Sequence, residues 1–275
     1  MILSTHGIVG SQIQSFVGLL DTYPNAAAAY SVRKLRTAYT GSAIRVRRSS
    51  DNAEQNIGFT ALGNLDTTSL TTFCSGTNGF VTTWYDQSGN SRNATQSTAG
   101  SQPQIVSAGV VLLEASKPTL KFNGTSNFLE TTTFTKSLSE TSFVVSKRNT
   151  SVGDQVIYGG ATPAQQLAIT RDTNQLRAFN GVVGDGTAAV GSMFLASFLF
   201  SDSTSDFIRY NNSYIVTGSN FGNRTGGTSF RVGANPAASS NYVDGTISEI
   251  VLYQSNKTST VTNIESNINS YYAIY

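Results

Sequence analysis

Phe207-Ile208-Arg209-Tyr210-Asn211-Asn212-Ser213-Tyr214-Ile215-Val216 reads as two short strands around a tight turn. Asparagine tolerates the positive backbone angles that such turns need. The same grammar extends in both directions. Ile44-Arg45-Val46-Arg47 alternates apolar and basic residues, which places Ile44 and Val46 on one face and both arginines on the other. Phe80, Thr82 and Trp84 share a face in the same way, and Trp84 is expected in the core. Further strands are predicted at Phe143 to Ser146, Val156 to Tyr158, Leu167 to Thr170, Leu176 to Phe179, Met193 to Phe200, Phe230 to Gly233 and Ile247 to Tyr253. Asp244-Gly245 is expected to turn the chain before the last of these. Short apolar runs between Gly, Asn and Ser clusters predict an all-β, two-sheet antiparallel sandwich.

Two helices are expected to pack on it. After Pro24 and a capping Asn25, the stretch Ala26 to Tyr39 sets Ala28, Val32, Leu35 and Tyr39 on one stripe. Near the C-terminus Val261, Ile264, Ile268 and Tyr271 form a second stripe, with Thr262 and Glu265 at capping-box spacing. Ser91 to Gln104 is expected as a surface loop. Residues 1–25 are expected to form an N-terminal arm and residues 26–275 a single domain. Within the arm Ile8, Val9, Ile13, Phe16 and Val17 are sticky positions interrupted by glycine, and are expected to serve assembly.

Composition excludes several function classes. Of the 275 residues 12% are charged, 18 Lys and Arg stand against 16 Asp and Glu, and the net charge of +2 is too small to suggest a nucleic-acid partner. The longest apolar run, Met193 to Phe200, is far short of the roughly twenty residues of a membrane span. The N-terminus has neither a basic leader nor a long apolar core, so export by the ordinary secretory route is not expected. One cysteine, Cys74, and one histidine, His6, leave no disulfide within the chain and no histidine metal cluster. Cys74 is expected as a small buried thiol. Asp172, Asp185, Asp202 and Asp206 form no dense calcium loop, so neither metal nor cofactor is expected.

Arg33, Lys34, Arg36, Arg45, Arg47 and Arg48 are expected on a solvated face. Asp86 in Asp86-Gln87-Ser88-Gly89-Asn90 is expected to hold a turn by bonding its own backbone. Tyr210, Tyr214 and Tyr242, near turns, are the candidate glycan contacts, since aromatic faces match the apolar faces of sugars.

Several motifs together carry a resemblance. Ala29-Tyr30-Ser31-Val32-Arg33-Lys34-Leu35, Tyr39-Thr40-Gly41, Arg47-Arg48-Ser49-Ser50-Asp51, Phe73-Cys74 and Tyr85-Asp86-Gln87-Ser88-Gly89-Asn90 resemble the catalytic domain of family 54 α-L-arabinofuranosidases. The strand-rich half, with Ile247 to Tyr253 and the terminal helix, is similar to the concanavalin A-like, laminin-G-like jelly roll of lectins and phage virion proteins. For the fold this resemblance implies a two-sheet jelly roll. For chemistry it implies a retaining glycosidase with two carboxylates about 5 Å apart. Laid on this chain, the nucleophile falls at Thr173, beside Asp172, and the acid/base residue at Asn235. Neither side chain can do that work. The family's second cysteine, five residues after Cys74, is replaced by Gly79, which suits a protein folded in a reducing cytosol.

The expectation drawn from these departures is a non-enzymatic phage virion protein, a capsid decoration, head-fibre or tail-fibre component folded in the host bacterial cytoplasm. Its expected partners are other virion proteins and copies of itself, by analogy as a trimer. Host-surface glycans are its candidate ligand, with Asn235 beside the tyrosines. The alternatives are a glycoside hydrolase of arabinofuranosidase type, in which Asp172 or Glu249 would face another acid across a pocket, and a free carbohydrate-binding module.

Overall fold

The computed structural model describes residues 16–275 except 137–138, 151–152, 161–164, 172–173, 180–182, 188–190, 202–203, 223–225, 236 and 238. The all-β expectation holds. Among the described residues nineteen strands form one hydrogen-bonded network, and two ribbons stand apart from it. These ribbons pair Phe134–Lys136 with Gly226–Thr228, and Leu113–Glu114 with Lys117–Pro118. Every ladder among the described residues is antiparallel. The network is nearly closed, because short strands in its middle pair on both sides. Leu129–Thr131 joins Ala94–Thr95 to Phe230–Val232, and Leu120–Asn123 joins Gln104–Ser107 to Asp244–Tyr253.

Asp244–Tyr253 is the axis of the core. It pairs with Ala28–Ser31, Leu120–Asn123 and Glu140–Arg148, and it is buried from Gly245 onward. The expected turn at Asp244-Gly245 is therefore the start of this long strand. Gly245 is required there, because a side chain at that position would sit on the backbone carbonyl of Lys147. From Glu140–Arg148 the ladder continues through Phe194–Phe200 and Asp206–Tyr210 to Ser213–Ser219. The hairpin between the last two turns at Asn211 and Asn212, with φ of 45° and 66°, as the sequence predicts. Ile44 and Val46 are buried while Arg45 and Arg47 face outward, and Trp84 is fully buried.

The helix expected over Ala26 to Tyr39 is absent. Ala28–Ser31 is a strand, and Asn25, the expected cap, lies in a left-handed turn with φ of 66°. Ala26 to Ala29 are all buried, as are Val32 and Leu35. A segment buried on both sides gains nothing from a one-sided helical stripe, and its backbone groups find partners in the neighbouring strand and in loop side chains. Three helices occur among the described residues: Leu19–Thr22, Thr67–Phe73 and Val261–Tyr272. The last lies where expected, with Val261, Ile264 and Ile268 buried, but Tyr272 rather than Tyr271 completes the buried stripe. Its Glu265 does not cap. It accepts from Ser197 Oγ at 2.7 Å and pairs with Arg209 at 2.9 Å in the interior. Ser91 to Gln104 is more than a loop, since Ala94–Thr95 is paired and Ala99–Ser101 forms a 3-10 turn.

Of the expected arm, Ile8, Val9, Ile13 and His6 lie outside the described residues. Phe16 is half-buried, Val17 is exposed, and Leu19 and Leu20 are buried. Leu20 N–H donates to the Leu35 carbonyl at 2.7 Å. Arg33, expected in solvent, is 7% exposed and makes two bonds to the buried carboxylate of Glu249, at 2.8 and 2.9 Å.

Candidate active site

Asp86 does what its place in the sequence suggests, on a larger scale. Its carboxylate accepts from the N–H groups of Ala29, Ser88 and Arg92 at 2.9 to 3.0 Å. Gln87 accepts from Leu35 N–H and donates to the carbonyls of Ser31 and Arg33, and Asn90 donates to those of Ala26 and Ala27. These side chains hold the Ala26 to Leu35 segment in its extended course. They are occupied with backbone, so the Asp86 to Asn90 motif holds the neighbouring segment in place.

A cavity lies elsewhere, lined by three segments of the chain: Asn123 to Thr125, Thr150 with Gly153 to Gln155, and Asn241, Tyr242 and Asp244. Gln155–Gly160 runs between Gln165–Arg171, with Gln155 opposite Thr170, and Phe230–Val232, with Tyr158 opposite Val232. Beyond Val232 the chain loops out and returns along the same end. Gly233 N–H donates to the Ile157 carbonyl, Val156 N–H to Asn241, and Val243 N–H to Gly233. Gly233 has φ of 89°, and a Cβ there would strike the ring of Phe122, so glycine is needed for this close approach. Another wall is the turn after Leu120–Asn123, where Asn123 Oδ1 accepts from the N–H groups of Thr125, Ser126 and Asn127. The cavity measures about 370 Å³ and is lined by Asp154 and Asp244 with Asn123, Thr125, Asn241 and Tyr242 among others. That volume is within the ordinary range of small-molecule sites.

Two acids line this cavity, Asp154 just before the strand Gln155–Gly160 and Asp244 at the start of Asp244–Tyr253. Asp154 pairs with Arg171 at 3.1 Å and Arg177 at 3.5 Å, and these two arginines also hold Asp185, at 3.1 and 2.7 Å. Hydrogen bonding from Arg177, with the two positive charges beside it, holds the Asp185 carboxyl below the usual carboxylate range. Beneath the rim, buried Arg148 donates to the carbonyls of Arg171 and Gly153 and so fixes both flanks of Asp154. Asp244 accepts from Asn149 Nδ2 at 3.4 Å, and its N–H donates to Gln155 Oε1 at 3.0 Å.

Of the residues singled out from sequence, Tyr242 lines this cavity. Asn235 stands in the returning loop and uses its amide there, donating to Ser240 Oγ at 2.8 Å and accepting from Ser239 N–H at 3.0 Å. Tyr210 and Tyr214 lie elsewhere, on the 207–216 hairpin, with Tyr210 against Phe194 and Tyr214 against Phe207 and Arg209. Thr173, Asp172 and Asp202 are outside the described residues. Glu249, the other acid considered for a hydrolase, is buried against Arg33 and faces no cavity acid. No group of three or more metal-ligating side chains occurs among the described residues. Cys74 is free and buried, and a Cβ at Gly79 would stand 2.8 Å from its sulfur, so the two positions remain adjacent although the second cysteine is gone. Sequence reasoning missed Asp154 and Asp244. Asp244 had been assigned to a turn, and nothing in the local sequence of Asp154 marks it.

Residues 21–129 match the family model described as "Alpha-L-arabinofuranosidase B, catalytic". A probable α-L-arabinofuranosidase B of Aspergillus terreus is 35% identical over 105 residues, 36% of this chain and 21% of that protein. An α-L-arabinofuranosidase of Hypocrea jecorina is 38% identical over 77 residues, 28% of this chain and 15% of that protein. The matched part of the chain thus spans about a fifth or less of the length of these curated relatives. A crystal structure of an arabinofuranosidase complexed with arabinofuranosyl-α-1,2-xylobiose superposes with a TM-score of 0.70 at 20% identity, covering 92% of this chain and 64% of the other. A family 54 α-L-arabinofuranosidase soaked with a cyclic sulfate inhibitor gives a TM-score of 0.70 at 20% identity, covering 92% and 65%.

These findings correct the expectation of a non-enzymatic virion component. The relatives are named as glycoside-cleaving enzymes, so the phage, fibre and decoration reading and its location in a particle are withdrawn. The physical ground for that reading was the loss of acids at Thr173 and Asn235.

Proposed function

We propose that this chain is a glycoside hydrolase of arabinofuranosidase type, built on a two-sheet antiparallel jelly roll, with its reaction centre in the cavity between Asp154 and Asp244. The observation that carries the reading is the pair of carboxylates on that cavity, one wall of which, Asn241 to Asp244, follows the loop that carries Asn235. Asp154, held by two guanidinium groups, is the nucleophile. It attacks the anomeric carbon as the glycosidic C–O bond breaks, giving a glycosyl ester. Asp244, set among amides and Tyr242, gives its proton to the leaving oxygen and then takes one from the water that cleaves the ester. Asn123, Thr125 and Asn241 offer donors and acceptors to the hydroxyls of one furanose ring.

The test is release of 4-nitrophenol from 4-nitrophenyl α-L-arabinofuranoside by the whole chain. Asp154→Asn is expected to lower the rate about 10³-fold or more. Asp244→Asn is expected to spare this substrate, whose leaving group needs little protonation, more than it spares an unactivated arabinoside. Absence of any release by the unaltered protein, or wild-type rates in both variants with melting points unchanged, would remove the proposal.

A further inference from the structure

At one margin of the network two strands lie together, each paired along a single edge. Ser213–Ser219 pairs with Asp206–Tyr210, Val183–Thr187 pairs with Gln175–Phe179, and neither has a second strand partner among the described residues. The two are closely packed. A Cβ at Gly186 would stand 2.8 Å from the side chains of Ile215 and Val216, and one at Gly184 would strike the ring of Phe221. Ser213–Ser219 is the longest strand paired on one side only among the described residues, and four of its seven residues are exposed. A row of unpaired N–H and C=O groups is a template for another strand, and proteins ordinarily blunt it by shortness, charge or proline. The edge strand Glu54–Ile57 is four residues long and begins on a carboxylate paired with Arg45. Ser213–Ser219 has none of these protections. Charges near it are answered within the chain. Arg209 pairs with Glu265 and lies over the Tyr214 ring at 4.2 Å, Asp206 accepts from the N–H groups of Ser201 and Phe221, and Asp185 is held by Arg171 and Arg177. Exposed Tyr214 and Val183 add apolar surface to this margin.

We infer that Ser213–Ser219 joins the same strand of a second copy of this chain, antiparallel, about a twofold axis. An antiparallel edge is complementary to itself, since its N–H and C=O groups meet the same row in the copy. Register shifts bend this strand against Asp206–Tyr210, and a copy is bent equally, whereas a straight strand from another protein would match only part of it. With no charged side chain in the row, two copies meet without repulsion. Closure on a twofold axis gives two chains, not the three suggested by analogy. The inference is independent of whether the chain hydrolyses anything.

Sedimentation of the full chain from about 1 to about 200 µM tests it. The mass is expected to rise from one chain to two, and to do so equally in low and high salt, since no charge holds the contact. Thr217→Lys, which puts a charge in the row, is expected to raise the dissociation constant at least about tenfold with an unchanged melting point, while Thr217→Val keeps the dimer. Should the lysine variant fail to fold, hydrogen–deuterium exchange on the unaltered protein replaces it, with amides of residues 213–219 expected to exchange more slowly at high concentration than at low. A single-chain mass throughout, a mass of three chains, association lost in high salt or indifferent to Thr217→Lys, or slowing confined to residues outside 183–187 and 213–219 would each overturn the inference.

Discussion

Residues 21–129 and residues 130–275 hold their backbones by different means. In the first region side chains reach across loops: Asp86, Gln87 and Asn90 bond the backbone of Ala26 to Leu35, and Arg47 and Arg48 bond Asn52 and Asp51. In the second, long ladders do the work, with Glu140–Arg148 paired along its length to Phe194–Phe200 on one side and Asp244–Tyr253 on the other. A loop fixed by a side chain needs one residue type at one position. A ladder needs only backbone and a residue that suits a buried strand. Sequence similarity to the arabinofuranosidase catalytic model accordingly stops at residue 129, whereas structural similarity runs over 92% of the chain.

The largest effect expected from this contrast is on turnover. Asp154→Asn, in the ladder region, is expected to cost about 10³-fold in hydrolysis with little change in melting point. The motif residues of the first region are expected to do the reverse.

Next in size is the ion pair that joins the regions. Arg33→Met strands the buried Glu249 carboxylate and is expected to lower stability by about 3–5 kcal/mol in urea unfolding, with much of the loss restored by adding Glu249→Leu. A double variant no better than the single would show that the pair is not the cause. Asp86→Ala unpartners three N–H groups and is expected to cost about 2–3 kcal/mol while folded protein keeps its rate. A large fall in rate with stability intact would place chemistry in the first region after all.

The smallest effect concerns acid. Because the folded-state pKa of Asp185 is depressed, its stabilisation is present above the unfolded value of about 3.9 and is lost as pH falls through the lower folded value. Unfolding midpoints followed from pH 5 downward are expected to fall more steeply for the unaltered protein than for Asp185→Asn, by about 1 kcal/mol or less. Parallel curves would mean that the Arg171, Arg177 and Asp154 network holds without Asp185.

Much of the strand content was legible because alternation and turn chemistry are local. Asn211-Asn212 marks its own hairpin, and the polar cluster after Trp84 marks Asp86 as a turn holder. The Ala26 to Tyr39 segment misled because alanine stripes have the same spacing whether one side or both are buried. The cavity was not legible for a related reason. Thr173 and Asn235 could be compared with a family pattern one residue at a time, but which acids share a cavity depends on strands distant in sequence.

From the amino acids alone came the all-β class, the Asn211-Asn212 hairpin, the terminal helix, the buried thiol and the arabinofuranosidase likeness. Each rests on neighbours within a few residues or on motif identity. Only the tertiary structure decided that Ala28–Ser31 is a strand, that Arg33 is buried on Glu249, and that Asp154 and Asp244 meet at one cavity. Those outcomes depend on which side of a strand another strand covers, and in an antiparallel network that is set by pairings between segments up to some 220 residues apart, as between Ser31 and Glu249.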